Sequence, residues 1–295
     1  MLKIDEYAYN ACERNGTLES AAQFEQRLDL LEHTHFLNRN EVYRWIYLGF
    51  EFCENMMLTC KVQDIQKKIE MASKRGYKVA FSFPSMHQKQ IGLFEDWVQC
   101  LAEQGMIEEW IVNDYGTFAM LEKYGVHKGI VLGRMFEKAI REVRQNILEI
   151  PEIQKHFEIL QPEESLKQLR KLLGDKYQMK GAEIDTFPDG VLDLGDGDFE
   201  YHVHYPDIYL SSSPYCEYAN GKREEKVRFI LHQSCGRECC LYEQKISTTR
   251  GRVFYKTGNV MLCRQEKSLE ECINGRCRLV YSDRIHSKEE QGVTK

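Results

Sequence analysis

Residues 77–134, YKVAFSFPSMHQKQIGLFEDWVQCLAEQGMIEEWIVNDYGTFAMLEKYGVHKGIVLGR, alternate short apolar segments with longer amphipathic ones. The short segments are rich in β-branched and aromatic residues, and the longer ones carry apolar residues at helical spacing. Strands are predicted at 77–85, 108–114 and 127–134, and helices at 92–105 and 117–125. Strands that alternate with helices indicate parallel strands joined by right-handed crossovers.

The same alternation continues on both sides. Upstream, 41–50 (EVYRWIYLGF) predicts a strand, and 62–76 predicts a helix with Gly76 as its C-cap. Downstream, 180–187 and 200–213 predict further strands. In a chain of 295 residues this favours a TIM-type or incomplete TIM-type parallel barrel, with a doubly wound open sheet as the alternative. No G-x-G-x-x-G follows the early strands, which disfavours dinucleotide binding.

The pattern also divides the chain. Residues 1–213 are predicted to form the α/β domain, with a charged helical insertion at about 134–175. Residues 214–295 form a cysteine-rich segment. Within it, 253–265 and 277–285 predict an antiparallel β-pair, a C-terminal β appendage to the barrel.

Composition limits the class of protein. Hydrophobic residues make up 42% of the chain, enough for a large core, and the net charge of −6 argues against a general nucleic-acid binder. The first residues contain no apolar run typical of a signal peptide, and no apolar stretch reaches the roughly 18 residues of a membrane helix. We therefore expect a cytoplasmic protein without membrane contact.

The eleven cysteines are many for a reducing compartment, where clustered thiols more often bind metal or act in catalysis than form disulfides. The densest group is HQSCGRECC (232–240), which holds Cys235, Cys239 and Cys240. Cys216 precedes it, and Cys53 follows the predicted strand 41–50. These spacings leave both zinc and an iron–sulfur cluster open.

The other cysteines have simpler interpretations. Cys12, Cys60 and Cys100 are predicted to be buried structural residues. A second group follows residue 260 and contains no closely spaced pair, so loop cysteines are favoured over a small zinc site. Its members are Cys263, Cys272 and Cys277.

The order of several short motifs resembles peptidase family U32, in particular its shorter single-domain members. No single motif is specific, and the likeness covers about residues 41–265 with a gap across 134–175. The motifs are YLGFEFC (47–53), VNDYG (112–116), VLGR (131–134), HVHYPDIYLSSSPYC (202–216), the x3-spaced cysteines of 232–240, and KTGNVML (256–262).

The resemblance implies a [4Fe–4S] cluster bound by four cysteines, with Cys240 as a rival for the last of them: Cys53, Cys216, Cys235 and Cys239. It implies an oxygen-independent hydroxylation of a small aromatic molecule or an RNA base, carried out with a second U32-family protein as heterodimer partner. A non-catalytic iron–sulfur subunit and a true peptidase are the alternatives. The sequence contains neither G-x-S-x-G nor H-E-x-x-H, so it gives the peptidase little support.

Polar residues at predicted strand ends are candidates for the surroundings of the cluster: His202, His204, Tyr205, Asn113, Asp114 and Arg134. Each also has an ordinary structural interpretation. The two histidines share one strand face and could be satisfied core residues. Asn113 and Asp114 could cap the next helix, and Arg134 could pair with a carboxylate on an outer helix. The aspartates of 185–198 are predicted to form a solvated loop rather than a calcium site.

Overall fold

The computed structural model describes residues 1–12, 19–33, 42–137, 151–152, 162–173, 176–195, 199–221, 224, 226, 235–240, 244–247 and 252–282. Most of the predicted helical insertion at about 134–175 therefore lies outside the described residues, which include one helix of it, Pro162–Leu173. No described helix combines the length and the apolar character needed to cross a membrane.

Eight parallel strands close into a barrel, which confirms the TIM-barrel-like fold. They are β1 (Leu2–Asn10), β2 (Trp45–Gly49), β3 (Lys78–Ser82), β4 (Glu109–Val112), β5 (Lys128–Leu132), β6 (Gln178–Asp185), β8 (Glu200–Tyr205) and β13 (Ile273–Tyr281). A two-residue strand, β7 (Leu192–Asp193), pairs with the start of β13 outside the ring. The ring closes because β13 pairs in parallel with both β8 and β1.

The described helices lie between the strands in sequence, and the longer ones cover the barrel with buried apolar faces. They are α1 (Ala21–His33), α2 (Glu54–Leu58), α3 (Val62–Lys74), α4 (Ile91–Gln104), α5 (Tyr115–Lys123), α6 (Pro162–Leu173), α7 (Glu217–Asn220) and α8 (Leu269–Cys272), with short 3₁₀ turns at Gln88–Gln90 and Glu238–Cys240. In α4, for example, Phe94, Val98 and Leu101 recur at helical spacing and are fully buried.

The predicted pairing of one strand is wrong. The sequence predicts that residues 277–285 pair with 253–265 in the appendage, but residues 273–281 form the eighth barrel strand. The reason is burial: Leu279 faces the surrounding core and Val280 the barrel interior, and both are completely buried. A strand covered on both faces fits a parallel barrel better than an exposed hairpin.

A second prediction is corrected at 200–213, which is two strands rather than one. β8 ends at Tyr205, which is joined to Pro206 by a cis peptide bond. The next strand, β9 (Asp207–Ser212), lies outside the barrel. β9 joins β10 (Gln244–Ser247), β11 (Val253–Thr257) and β12 (Val260–Arg264) in a four-stranded antiparallel sheet. This sheet is the β appendage, and it lies beside the carboxyl ends of the barrel strands, where the candidate cysteines are found.

Candidate metal centre

Cys53 and Cys216 occupy equivalent local positions. Each follows a strand and is the N-cap residue of a short helix, Cys53 before α2 and Cys216 before α7. Both side chains are buried. The segment before Cys53 is fastened to the appendage, because Asn259 Nδ2 donates to the Phe52 carbonyl oxygen at 2.7 Å. Barrel and appendage therefore present one cysteine each to a shared site.

Three candidate cysteines influence one another's pKa values. Burial raises the pKa of Cys53 to about 12, with contributions in the same direction from Cys216 and Cys235 and an opposing one from the Met56 amide. Burial also raises the pKa of Cys216, and Cys235 adds to the rise. Because Coulomb contributions weaken with distance, the three side chains lie in the same region of the structure although they are far apart in sequence.

Cys235 and Cys239 lie on a segment held by Arg237. The Arg237 guanidinium donates to the Thr59 carbonyl at 2.5 Å and to its hydroxyl at 3.0 Å, at the end of α2. The Arg237 amide also donates to the Cys235 sulfur at 3.3 Å. Cys239 is buried in the following 3₁₀ turn, which packs on α7. The Cys240 side chain lies outside the described residues, so its rivalry with Cys239 stays open.

Loss of the Arg237 side chain is expected to weaken metal retention without unfolding the chain. In R237A the segment of Cys235 loses its two bonds to Thr59, whereas the thiols themselves remain. Substitution of residues that orient ligands typically costs 10- to 100-fold in metal affinity. A metal bound by these cysteines should therefore pass to a chelator faster in R237A than in wild type. R252A, which removes an ion pair to Asp189 in a different part of the chain, is the matched control, and an equal effect there would contradict the assignment.

A cavity of about 220 Å³ opens between the two buried cysteines. Cys53 and Cys216 both line it, together with Phe52, Met135 and His87 among others. One face of Phe52 is stacked on Tyr209, with ring centroids 4.6 Å apart. The cavity is therefore bounded by candidate ligands on two sides and by an aromatic wall.

Beneath that wall lies a buried ion-pair cluster. Arg134 Nε donates to Asp185 Oδ2 at 2.9 Å, and its Nη2 also contacts that carboxylate. Glu51 lies 3.5 Å from Arg134 Nη1. The guanidinium also sits 5.3 Å from the Phe52 ring. The alternative interpretation of Arg134, a pair with a carboxylate on an outer helix, is not what the structure shows, because its partner Asp185 ends barrel strand β6. The prediction that Asp185 belongs to a solvated loop is wrong, because Asp185 is buried against Arg134.

His204 and Glu183 form a second buried pair in the same half of the barrel. His204 Nε2 lies 2.9 Å from Glu183 Oε1, and both side chains are almost fully buried. Burial raises the pKa of Glu183 well above its usual value, and the neighbouring Glu51 raises it further. A carboxyl group with a raised pKa beside a histidine can hold a proton that an ordinary glutamate would lose.

His202 points into the barrel like His204 but lies nearer the amino ends of the strands. Its Nδ1 is 2.8 Å from the Tyr47 hydroxyl. Among the described residues, one group of three metal-ligating side chains falls within 4.8 Å of each other, namely Glu109, Glu200 and His202. Both carboxylates already pair with Arg278, at 2.5 and 3.5 Å, so this group is an ion-pair network.

The remaining candidates have structural roles in the described contacts. Asn113 binds three backbone groups: it donates to the Phe83 and Glu51 carbonyls and accepts from the Met135 amide. Asp114 caps α5 by accepting from the Thr117 amide at 2.8 Å. Tyr205 donates to the Lys267 carbonyl.

The other cysteines lie apart from the cavity. Cys12 is buried inside the barrel, and Cys263 is buried in a small apolar cluster of the appendage. Cys272 and Cys277 pack in the core outside the ring, where burial raises the pKa of Cys277 to about 12 and Cys272 adds to the rise. Within the described residues, the sulfurs of these three late cysteines do not form a metal-sized group.

Sequence reasoning missed four polar residues around the site. Glu51 and Glu183 are buried carboxylates, and Arg237 and His87 are loop side chains that contact it. Glu51 carried one signal, since it stands between Gly49 and Cys53 in the resemblance motif. The other three are brought to the site only by tertiary contacts. Comparison of this chain with protein-family models, with curated proteins and with solved structures gives no match.

Proposed function

We propose that this chain binds a [4Fe–4S] cluster through Cys53, Cys216, Cys235 and Cys239 and takes part in an oxygen-independent hydroxylation. The observation that carries the proposal is that Cys53 and Cys216 line one cavity at the carboxyl ends of the barrel strands, with Cys235 near enough to raise the pKa of both. Active sites of such barrels collect at that end. Cys239 follows Cys235 in the segment held by Arg237 and is itself buried.

The preference for a [4Fe–4S] cluster over a single zinc ion comes from the resemblance of the motifs to family U32. The two differ in geometry, because zinc itself binds four thiolates at about 2.3 Å, whereas a cluster binds each thiolate through a different iron.

The bound cluster would supply electron transfer, at a potential set by burial and by hydrogen bonds to its thiolates. The chain's own residues would bond to the cluster thiolates and line the substrate cavity. The Arg237 amide donates to the Cys235 sulfur. Phe52 and Met135 give the cavity apolar walls that exclude water from a planar substrate, either a small aromatic molecule or an RNA base.

The peptidase alternative has little support in the sequence, which contains neither G-x-S-x-G nor H-E-x-x-H. A U32-family partner and a cytoplasmic location belong to the proposal, and co-purification of a second such chain from the native cytoplasm would test both.

The decisive test is a count of iron and sulfide in protein purified without oxygen. Wild type is expected to carry about four of each per chain and to absorb broadly in the visible range. C53A, C216A and C235A are each expected to lose most of that iron. C100A, which changes a half-buried cysteine on α4 away from the cavity, should keep it.

Either of two results would contradict the proposal. One is stoichiometric zinc with no iron in the anaerobic protein. The other is equal iron in C53A, C216A and wild type, which would place the metal elsewhere in the chain.

A further inference from the structure

We propose that Glu51 is a positioning residue for Cys53, because its side chain holds the strained turn that presents this cysteine to the cavity. The inference deepens the proposed function and rests on it in taking Cys53 as a cluster ligand. Its evidence is the backbone conformation of residues 50–53 and the contacts of the Glu51 carboxylate.

The turn at residues 50–53 contains glutamate where glycine is the usual residue. The Cys53 amide donates to the Phe50 carbonyl oxygen at 3.0 Å and so closes a four-residue β-turn. Of its two central residues, Glu51 has a positive φ of +33° and Phe52 does not. This is the pattern of a type II′ turn, whose first central position favours glycine. A residue with a β-carbon is strained there.

One other described residue shows strain of this kind. Within the ranges that the structure describes, Glu51 and Arg237 are the two non-glycine residues with positive φ. Glu51 stands two positions before Cys53, and Arg237, with φ of +58°, stands two positions after Cys235. Strained residues collect at functional sites, where the surrounding structure maintains them. Both outliers therefore connect backbone strain with the candidate ligands.

The side chain of Glu51 explains the absence of glycine. It is buried, and its Oε1 accepts from Asn10 Nδ2 at 2.9 Å and lies 3.5 Å from Arg134 Nη1. The Glu51 carbonyl oxygen accepts from Asn113 Nδ2 at 3.3 Å. Asn10 ends β1, Asn113 follows β4 and Arg134 comes after β5. The turn is thus fixed to the carboxyl ends of three other barrel strands.

A glycine at position 51 would form the same turn without strain, but it would have no carboxylate to bind Asn10 and Arg134. The chain carries the anchored and strained alternative. Cys53 is the last residue of the turn and the N-cap of α2, so the turn sets the direction of its Cα–Cβ bond. Ligand side chains have to be held to within about 0.5 Å, which a fixed turn provides and a mobile one does not.

The test uses three substitutions at this one position, in full chains purified without oxygen. E51A removes the anchor and keeps the strain, E51G removes both, and E51Q keeps an oxygen acceptor for Asn10. E51A and E51G are each expected to lose most of their iron to a chelator under conditions in which wild type keeps most of it. E51Q should fall between these variants and wild type.

Urea denaturation of the same samples separates positioning from stability. E51G should unfold at higher urea than E51A, because relief of left-handed strain outweighs the entropy that glycine adds to the unfolded chain. The two variants should nevertheless lose iron alike. If E51A does not fold, E51G and E51Q carry the comparison.

The reactivity of Cys53 is a second readout that needs no metal. N-ethylmaleimide should modify Cys53 faster in E51G than in wild type, as followed by peptide mapping. Cys100, which is half-buried on α4, is the internal control and should react at an unchanged rate.

Three outcomes would overturn the inference. The first is iron retention or a Cys53 rate in E51G equal to wild type. The second is loss of iron in E51A with retention in E51G, since the metal would then depend on stability and not on the carboxylate. The third is an equal acceleration at Cys53 and Cys100, which would show general loosening of the chain.

The two readouts also keep this inference distinct from the proposed function. Wild type without iron, together with selective acceleration at Cys53 in E51G, would uphold the role of Glu51 and contradict the cluster. Full iron in both wild type and E51G would do the reverse.

Discussion

Replacement of Asp185 by asparagine is expected to lower the free energy of unfolding by about 3 kcal/mol, near the lower end of the cost of breaking a buried ion pair. Asp185 and Arg134 are both buried, with exposures of 0% and 1%. D185N removes the charge and leaves the guanidinium in the protein interior. Glu51, 3.5 Å from Arg134, offsets part of the loss, which is why the lower end of the range applies.

Urea denaturation of D185N and wild type measures this effect. The matched control is D189N, because Asp189 pairs with Arg252 at the surface, where an ion pair contributes at most about 1 kcal/mol. A D185N protein within about 1 kcal/mol of wild type would mean that water reaches Arg134.

Replacement of Gly49 by alanine is expected to damage both stability and the metal centre. Gly49 ends β2 with φ of +117°, and an added Cβ would stand 2.1 Å from the Ser82 carbonyl oxygen of the neighbouring strand. Backbone strain and overpacking each cost about 1–3 kcal/mol, so a total near 3–5 kcal/mol is expected. The rigid strand β3 cannot yield, and the segment that leads to Cys53 must shift.

G76A is the control for the strain alone. Gly76 also has a positive φ, +84°, but an added Cβ would meet nothing within 4 Å. G76A should cost about 1 kcal/mol and keep its iron. Chemical denaturation and iron content are measured on both variants. Equal iron in G49A and G76A would show that Cys53 is positioned independently of the end of β2.

The barrel could be predicted from sequence because its signal is local. In 77–134 each strand and helix shows its own periodicity, and the alternation itself implies parallel strands. Closure of the ring is not a local property: β13 pairs with β1, whose LKIDEYAYN mixes charged residues with apolar ones. Of the charged residues of β1, Lys3 and Asp5 are exposed, and Glu6 accepts from the Trp45 indole at 2.7 Å.

The same distinction applies to the candidate site. Cysteines are rare enough that their spacing in the sequence could suggest a candidate metal centre. The residues that fix the candidate cysteines are common types, and only tertiary contacts set their roles. Arg237 contacts Thr59, 178 positions away in sequence, and His87 is fixed by Glu54, 33 positions away. A resemblance motif can point to ligands, but it could not show these supports.

Closure of the ring by its first and last strands has a consequence for synthesis on the ribosome. Leu2 pairs with Gly275, so the second edge of β1 stays uncovered until a strand 273 positions further along the sequence has emerged. Pairings of such sequence separation make folding slow, and uncovered strand edges promote aggregation in the meantime. All four candidate cluster cysteines leave the ribosome before β13. The four candidate ligands of a nascent chain could thus come together before β13 pairs. The pairing of β13 would then close the barrel after the proposed centre has formed.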